Sequence, residues 1–314
     1  MYRNKKISMA VPCLNEAKLI VKTLDNVPEY VDRIYVIDDG STDGTGKIVQ
    51  SYAKNDKRVK LIVNKVNRGN GYSVVRAFKE SIREGYDINC IVAGDNQCRQ
   101  EYLSNMIDEV IDDHCDYAKA NRFAHVKELQ QMPKFRKVAN IFMSFINKFA
   151  TGYYSVFDPL NSFSATRVST LEQLELDDIS PRYDFENSYL LHLYLVNARV
   201  KDIAVPALYG EEKSTIKLLP YTLRTSRTLF KSFWKRIYYK YVLFSLHPIA
   251  LFFVIGFVLF LVGLIYGIIL LVNSLQVGHE PSSAATVMIF VVPFIVGIQF
   301  LLQALVLDIQ NEPK

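Results

Sequence analysis

The stretch AVPCLNEA, Ala10 to Ala17, decides how the chain begins to fold. It carries the apolar run Ile7–Val11 through a proline and an Asn-Glu pair into helix-forming residues, the pattern of a strand, a sharp turn and a helix. Further apolar runs lie at Ile34–Ile37, Val59–Val63, Asn89–Ala93 and Tyr117–Ala120. Helix-like segments separate them, at about Glu16–Asn26, Thr45–Lys54, Ser73–Glu84 and Glu101–Asp112. This alternation predicts an α/β fold around a mostly parallel, doubly wound sheet. Ligands of such sheets bind beyond the carboxyl ends of the strands. There the sequence places its polar clusters: CLNEA, DDGSTDGTG, GDNQ and NR follow the first, second, fourth and fifth strands. Four strand ends are expected to converge on one site. Leu14, apolar among these polar groups, raises the question of what it packs against.

The 314 residues suffice for one substantial domain and something smaller, and their apolar content is uneven. No Lys, Arg, Asp or Glu occurs from Tyr241 to His279, nor from Pro281 to Leu307. Each stretch exceeds the roughly 20 apolar residues that cross a bilayer. A C-terminal hairpin of two membrane helices is expected, at about 246–272 and 283–307. Seven cations and no acid lie between Lys217 and Lys240 (Lys217, Arg224, Arg227, Lys231, Lys235, Arg236 and Lys240), whereas the connecting loop NSLQVGHEPSS has no Lys or Arg. The positive-inside rule then puts the N-terminal domain on the cytoplasmic face. Phe230, Phe233, Trp234, Ile237, Tyr238 and Tyr241 recur at helical spacing beside a cationic stripe, as in a helix lying at a membrane surface. MYRNKKISMA lacks the apolar core of a signal peptide. Cys13, Cys90, Cys98 and Cys115 have no paired spacing and read as free thiols.

Two glycine-rich stretches are decoys. In GSTDGTGK the glycines are too widely spaced for a phosphate loop, and Ile48 replaces the required Ser or Thr. RGNG lacks the third glycine of a dinucleotide fingerprint. Asp38, Asp39 and Ser41 close the second strand, where they suit either a nucleotide's base and ribose or ordinary turn and capping bonds. Asp95 and Gln97 in AGDNQ place a carboxylate and an amide oxygen two residues apart, a set that suits Mg²⁺ shared with a diphosphate. Arg136 and Asn140 are four apart and share a helix face. Glu186, near Asp184, lies at a helix start.

VPCLNEA, VIDDGSTDGT, NRGNG and AGDNQ, in this order and spacing, resemble a family 2 glycosyltransferase of the GT-A fold. DPLNSFSA, YDFEN and YGEEKS, followed by membrane helices, narrow the resemblance to dolichyl-phosphate mannose synthases and bacterial polyprenyl-phosphate glycosyltransferases. The likeness covers essentially the whole soluble part. It implies a GT-A domain over 1–214, amphipathic juxtamembrane helices over 215–244, two transmembrane helices within 245–308 and a cytoplasmic tail, 309–314. It also implies a donor pocket of Pro12, Leu14, Asn15, Glu16, Asp38, Asp39, Ser41, Gly71, Gly94 and Asp95. Leu14 occupies a position that is usually Tyr, packed on the base. Mg²⁺ or Mn²⁺ is expected on Asp95 and Gln97, with Ala93 standing where relatives carry a first carboxylate. Arg122, Arg136 and Lys213 map onto groups that hold an acceptor phosphate, with Asn140 nearby, and Glu186 onto a group that orients the acceptor or acts as base.

The expected reaction is inverting transfer of a sugar from a nucleotide donor to a polyprenyl phosphate, dolichyl or undecaprenyl, on the cytoplasmic face. That face belongs to the cell membrane in a prokaryote and the endoplasmic reticulum in a eukaryote. UDP is favoured over GDP, because mannose synthases usually keep the full acidic motif. Two alternatives stand beside it: transfer to a saccharide hydroxyl of a lipid-linked glycan, and an inactive membrane scaffold that binds nucleotide sugar. Expected partners are the nucleotide sugar, the polyprenyl phosphate and membrane lipid, with no nucleic acid.

Overall fold

Strand β1 (Ile7–Cys13) sits mid-sheet and continues two residues beyond its apolar run, through Pro12. A proline is tolerated there because it lacks only an N–H. The Pro12 carbonyl points toward β4 (Ile88–Ile91) and accepts from Gly94 N–H at 3.2 Å, so the missing N–H faces the side where β4 has already ended. On the other side β1 pairs in parallel with β2 (Arg33–Asp38), which pairs with β3 (Val59–Val63). The computed structural model describes residues 1–124, 134–206, 218–243, 247–275 and 282–314, and for helical residues 134–140 and 218–224 the backbone alone.

The sheet has seven strands in the order β3-β2-β1-β4-β6-β5-β7, with β5 Tyr117–Asn121, β6 Ser164–Arg167 and β7 Val200–Ala204. Five strands were expected, and the sequence reading misses β6 and β7. The four residues of β6, SATR, are small or polar and form no apolar run, and β7, VKDIA, carries charges at its second and third positions. Strand β6 is antiparallel to both β4 and β5, so those two parallel strands are not neighbours. The GT-A-like, mostly parallel α/β fold holds nonetheless.

Alternation along the strands feeds two apolar layers. Ile7, Met9, Val11, Ile34, Val36 and Cys90 face α1 (Ile20–Asp25), α2 (Thr45–Asn55) and α4 (Leu103–Ile111). Ala10, Tyr35, Ile37, Ile91 and Tyr117 face α3 (Asn70–Arg83), α6 (Val168–Leu171) and α7 (Phe185–Leu195). The four cysteines are free thiols, three of them buried.

Helix α5 (Lys134–Thr151) has its polarity reversed. Ser144, Asn147 and Thr151 are buried and hydrogen-bonded, Ser144 to the Phe157 carbonyl at 2.8 Å and Asn147 to Asn187. Ile141, Phe142 and Phe145 on the opposite side are each more than half exposed. The helix has basic residues and no acidic one.

The chain divides into two compact units, Met1–Phe233 with Pro313–Lys314, and Trp234–Glu312. The boundary falls within α8 (Leu218–Arg236), which runs into a π-helical stretch, Ile237–Leu243. The second unit is built on α9 (Pro248–Ser274) and α10 (Ala284–Gln310), each 27 residues long, with mean hydropathy 2.9 and 2.4. Only 11% and 6% of their apolar windows are buried, unlike the core helices of a soluble domain. Gly263 and Gly297 let the two backbones approach: a Cβ on Gly297 would stand 2.4 Å from Phe260 N, and one on Gly263 would stand 2.7 Å from Phe294 N.

One of the seven cations counted between Lys217 and Lys240 is not at the surface. Arg236 has no exposed surface and meets both Asp308 carboxylate oxygens, at 2.5 and 2.8 Å. The Tyr241 hydroxyl donates to the same carboxylate. Ile237 and Tyr241, expected in the aromatic lipid-facing stripe, are buried, while Phe230, Trp234 and Tyr238 are exposed. A guanidinium this deep needs its partner more than it needs the membrane surface. Removing one member of a buried ion pair typically costs about 3–5 kcal/mol, whereas apolar replacement of both is often neutral. Asp308→Ala should therefore lower the melting temperature of the detergent-solubilised chain well below that of the double variant Arg236→Met/Asp308→Leu. Equal melting temperatures would show that the pair is not what holds these helices.

Candidate active site

The turn after β1 is tied to the loop after β2 by groups of opposite hydrogen-bonding character. Asn15 adopts a left-handed conformation, φ +59°, which asparagine tolerates. Its N–H donates to Ser41 Oγ at 2.9 Å, and its Oδ1 accepts from Thr42 N–H at 2.9 Å. The next two N–H groups continue the lacing, Glu16 to Thr45 Oγ1 at 2.9 Å and Ala17 to Asp43 Oδ2 at 3.0 Å. Asp43 opens α2 by accepting from Thr45 N–H and its hydroxyl. Burial opposes its ionisation, but these donors hold its carboxyl below the usual range. Sequence reading gave Asp43 no role.

Asp38 and Asp39 are both 4% exposed. Asp38 Oδ1 accepts from Ser41 N–H at 2.9 Å. Asp39 accepts from Arg68 N–H at 2.9 Å, Gly69 N–H at 2.7 Å and Asn64 Nδ2 at 2.7 Å. Each acid therefore shapes its loop. Gly71 is required by close approach, since a Cβ there would stand 2.1 Å from the Ser180 carbonyl oxygen. Gly94 is buried against Cys13, and its carbonyl accepts from Thr23 Oγ1 at 2.9 Å. Leu14 is half-buried and belongs to neither apolar layer. It lies within the laced turn.

Asp95 follows β4 in a turn whose next residue, Asn96, has φ +56°. Its Oδ1 accepts from Gln97 N–H at 3.0 Å, and burial pushes its carboxyl up. No cation offsets this burial among the described residues. Gln97 is exposed. The described residues contain no cluster of three metal-ligating side chains. A hard divalent ion fits such a place when one carboxylate is supplemented by substrate phosphate oxygens and water. Asp95, with the Gln97 amide, would hold it.

Arg122 follows β5. Its Nε and Nη2 meet Asp158 Oδ2 and Oδ1 at 2.7 and 2.9 Å, and its backbone N–H donates to Oδ2 at 3.1 Å. Asp158 is 1% exposed, and Lys119, fully buried on β5, donates to its backbone carbonyl. Burial pushes Glu186, in the first turn of α7, up to about 7, against the pull of Lys119 and Arg122. Asp184 accepts from the Thr228 hydroxyl at 2.7 Å. Arg136 and Asn140 fall on α5, four residues apart, with side chains outside the described residues, and Lys213 lies outside them altogether. Lys119 and Asp158 went unassigned in the sequence. DPLN was visible as a motif, but nothing in it says which cation its carboxylate meets.

The fold and the convergence of loops at the strand ends define a GT-A glycosyltransferase domain. The model of the glycosyl transferase family 2 domain matches residues 8–175, more than half of the chain, and the protein belongs to that family. A UDP-N-acetylglucosamine–dolichyl-phosphate N-acetylglucosaminyltransferase of Methanococcus voltae is 27% identical over 221 residues, covering 66% of this chain and 88% of its own. A polyprenol monophosphomannose synthase of Mycolicibacterium smegmatis is 26% identical over 200 residues, covering 60% and 74%. Among solved structures, the mannosyl-3-phosphoglycerate synthase of Rubrobacter xylanophilus superposes with a TM-score of 0.58 at 15% identity, covering 77% of each chain, a likeness of fold.

If Leu14 lines a base pocket, Leu14→Tyr should change the affinity for UDP, by up to about tenfold for a stacked ring. Calorimetric titration of UDP, with melting temperature alongside, decides it. Unchanged affinity with a lowered melting temperature would make Leu14 a packing residue only.

Proposed function

We propose that the protein transfers a sugar from a UDP-linked donor to the phosphate of a polyprenyl lipid at the cytoplasmic membrane face. The observations that carry this reading are a half-buried carboxylate in the turn after β4, Asp95, and a guanidinium anchored after β5, Arg122. One suits a donor diphosphate and the other an anionic acceptor. The names of the two relatives support both substrate classes. The apolar helices α9 and α10 support a membrane-resident acceptor, as does the exposed Ile141, Phe142 and Phe145 side of the basic helix α5.

In the reaction an acceptor phosphate oxygen attacks the anomeric carbon. The bond from that carbon to the β-phosphate oxygen breaks, and its electron pair leaves with UDP. Attack from the face opposite UDP inverts the centre. No strong base is needed, since a phosphate monoester with a second pKa of about 6 is already largely ionised. Arg122, with Arg136 and Lys213, holds the acceptor anion, Asp38 and Asp39 keep the donor loops in place, and Leu14 borders the base. A divalent ion on Asp95 and Gln97 would offset charge on the leaving diphosphate.

A second reading, transfer to a saccharide hydroxyl, is favoured by Glu186, whose carboxyl near 7 suits a general base. Incubating the purified chain with labelled UDP-N-acetylglucosamine, UDP-glucose and GDP-mannose, with undecaprenyl phosphate or a polyprenyl diphosphate saccharide, separates the two. Label in an acid-labile lipid monophosphate sugar is the expected result. Label only in an extended saccharide would establish the second reading, and none with any donor would point to a scaffold.

Glu186 also sets a pH dependence. Below about 7 it is protonated, and above that its charge opposes an anionic acceptor near Lys119 and Arg122. The KM for undecaprenyl phosphate should rise as pH increases through about 7, and Glu186→Gln should flatten the rise. An unchanged slope in the Gln variant would remove Glu186 from the acceptor site.

A further inference from the structure

A fully buried lysine on a sheet strand is costly, and the Lys119 ammonium is the least expected charge in the soluble unit. Its surroundings show what it holds. Lys119 donates to the backbone carbonyl of Asp158. One residue earlier, Phe157 N–H donates to Asp202 Oδ2 on β7 at 2.7 Å, and the Phe157 carbonyl accepts from Ser144 Oγ on α5 at 2.8 Å. Two consecutive residues of one loop are thus pinned to β5, β7 and α5. The Asp158 carboxylate, borne on that loop, grips Arg122 side-on through Nε and Nη2 and also takes the Arg122 backbone N–H.

We infer that Asp158 is a positioning residue for acceptor binding: with Lys119, Asp202 and Ser144 it forms a buried pedestal that fixes the Arg122 guanidinium before an anionic acceptor arrives. The inference rests on the assignment of Arg122 to the acceptor phosphate.

Arginine carries long-chain rotamer freedom that a ligand must otherwise freeze on binding, and a bidentate partner removes much of it in advance. The guanidinium is about one-third exposed while its carboxylate partner is almost wholly buried, so the pair is held from below and presented from above. Burial alone would raise the Asp158 carboxyl, yet Arg122 and Lys119 keep it low, so the anchor stays ionised wherever the protein is folded at neutral pH. An asparagine in its place turns an amide N–H toward the donors of Arg122 and releases the side chain.

The test is calorimetric binding of farnesyl phosphate, a soluble acceptor probe, and of UDP, to the full chain in detergent, with melting temperature measured on each variant. Asp158→Asn should weaken farnesyl phosphate by about tenfold and leave UDP unchanged. In an Arg122→Gln background the same substitution should add less than about twofold, because its effect passes through Arg122. Ser144→Ala, which only loosens the loop, should cost about threefold; it also serves if Asp158→Asn does not accumulate. Equal weakening by Asp158→Asn in both backgrounds, parallel loss of both ligands with melting temperature, or a Ser144→Ala indistinguishable from wild type would overturn the pedestal. If Arg122→Gln itself binds farnesyl phosphate normally, the assignment of Arg122 fails instead.

Discussion

A carboxylate taken out of water must find donors for its oxygens, and Asp39 finds three, the N–H groups of Arg68 and Gly69 and the Asn64 amide. Those bonds fix the loop after β3 to the end of β2, as Asn15, Glu16 and Ala17 fix the turn after β1 to the loop that opens α2. Three strand ends are thereby locked together before any ligand binds. A site assembled from loops gains most from such prior order, because each loop left free would have to be ordered by the substrate's own binding energy. The acids that the family resemblance assigns to the nucleotide also hold these loops, which is why their substitution is expected to affect more than one contact.

The parallel half of the sheet was legible because it is written in apolar runs: β1 to β5 were placed to within about two residues at either end. The mixed half was not. Strand β6 is held by its neighbours β4 and β5 rather than by its own composition, and β7 alternates charges with apolar residues at an edge. Pairing over long sequence separation leaves no local mark. The reversed polarity of α5 was hidden for a related reason. Its helical period is plain, but which side turns inward depends on Asn187 and Phe157, residues far along the chain or across a loop.

The candidate residues Asn15, Asp38, Asp39, Asp95 and Arg122 stand out in the sequence because each lies at or just after a strand end. Their partners were not. Asp158 lies 36 residues beyond Arg122, and Asp308 lies 72 beyond Arg236. Arg236 entered the sequence reading only as one of seven cations flanking the first apolar stretch, whereas the fold buries it against Asp308, the first acid after the second apolar stretch. An ion pair between distant elements cannot be read from spacing, since only the fold sets which charges meet.

The account turns on Asp95 as the single carboxylate at which donor diphosphate and divalent ion meet. A crystal of the full chain grown with UDP and Mn²⁺ locates the ion through its anomalous signal. The expected result is one peak bridging Asp95 and the UDP phosphates, at the end of β4 and on the side of Arg122. A peak away from Asp95, or UDP bound with no ion beside it, would contradict the account.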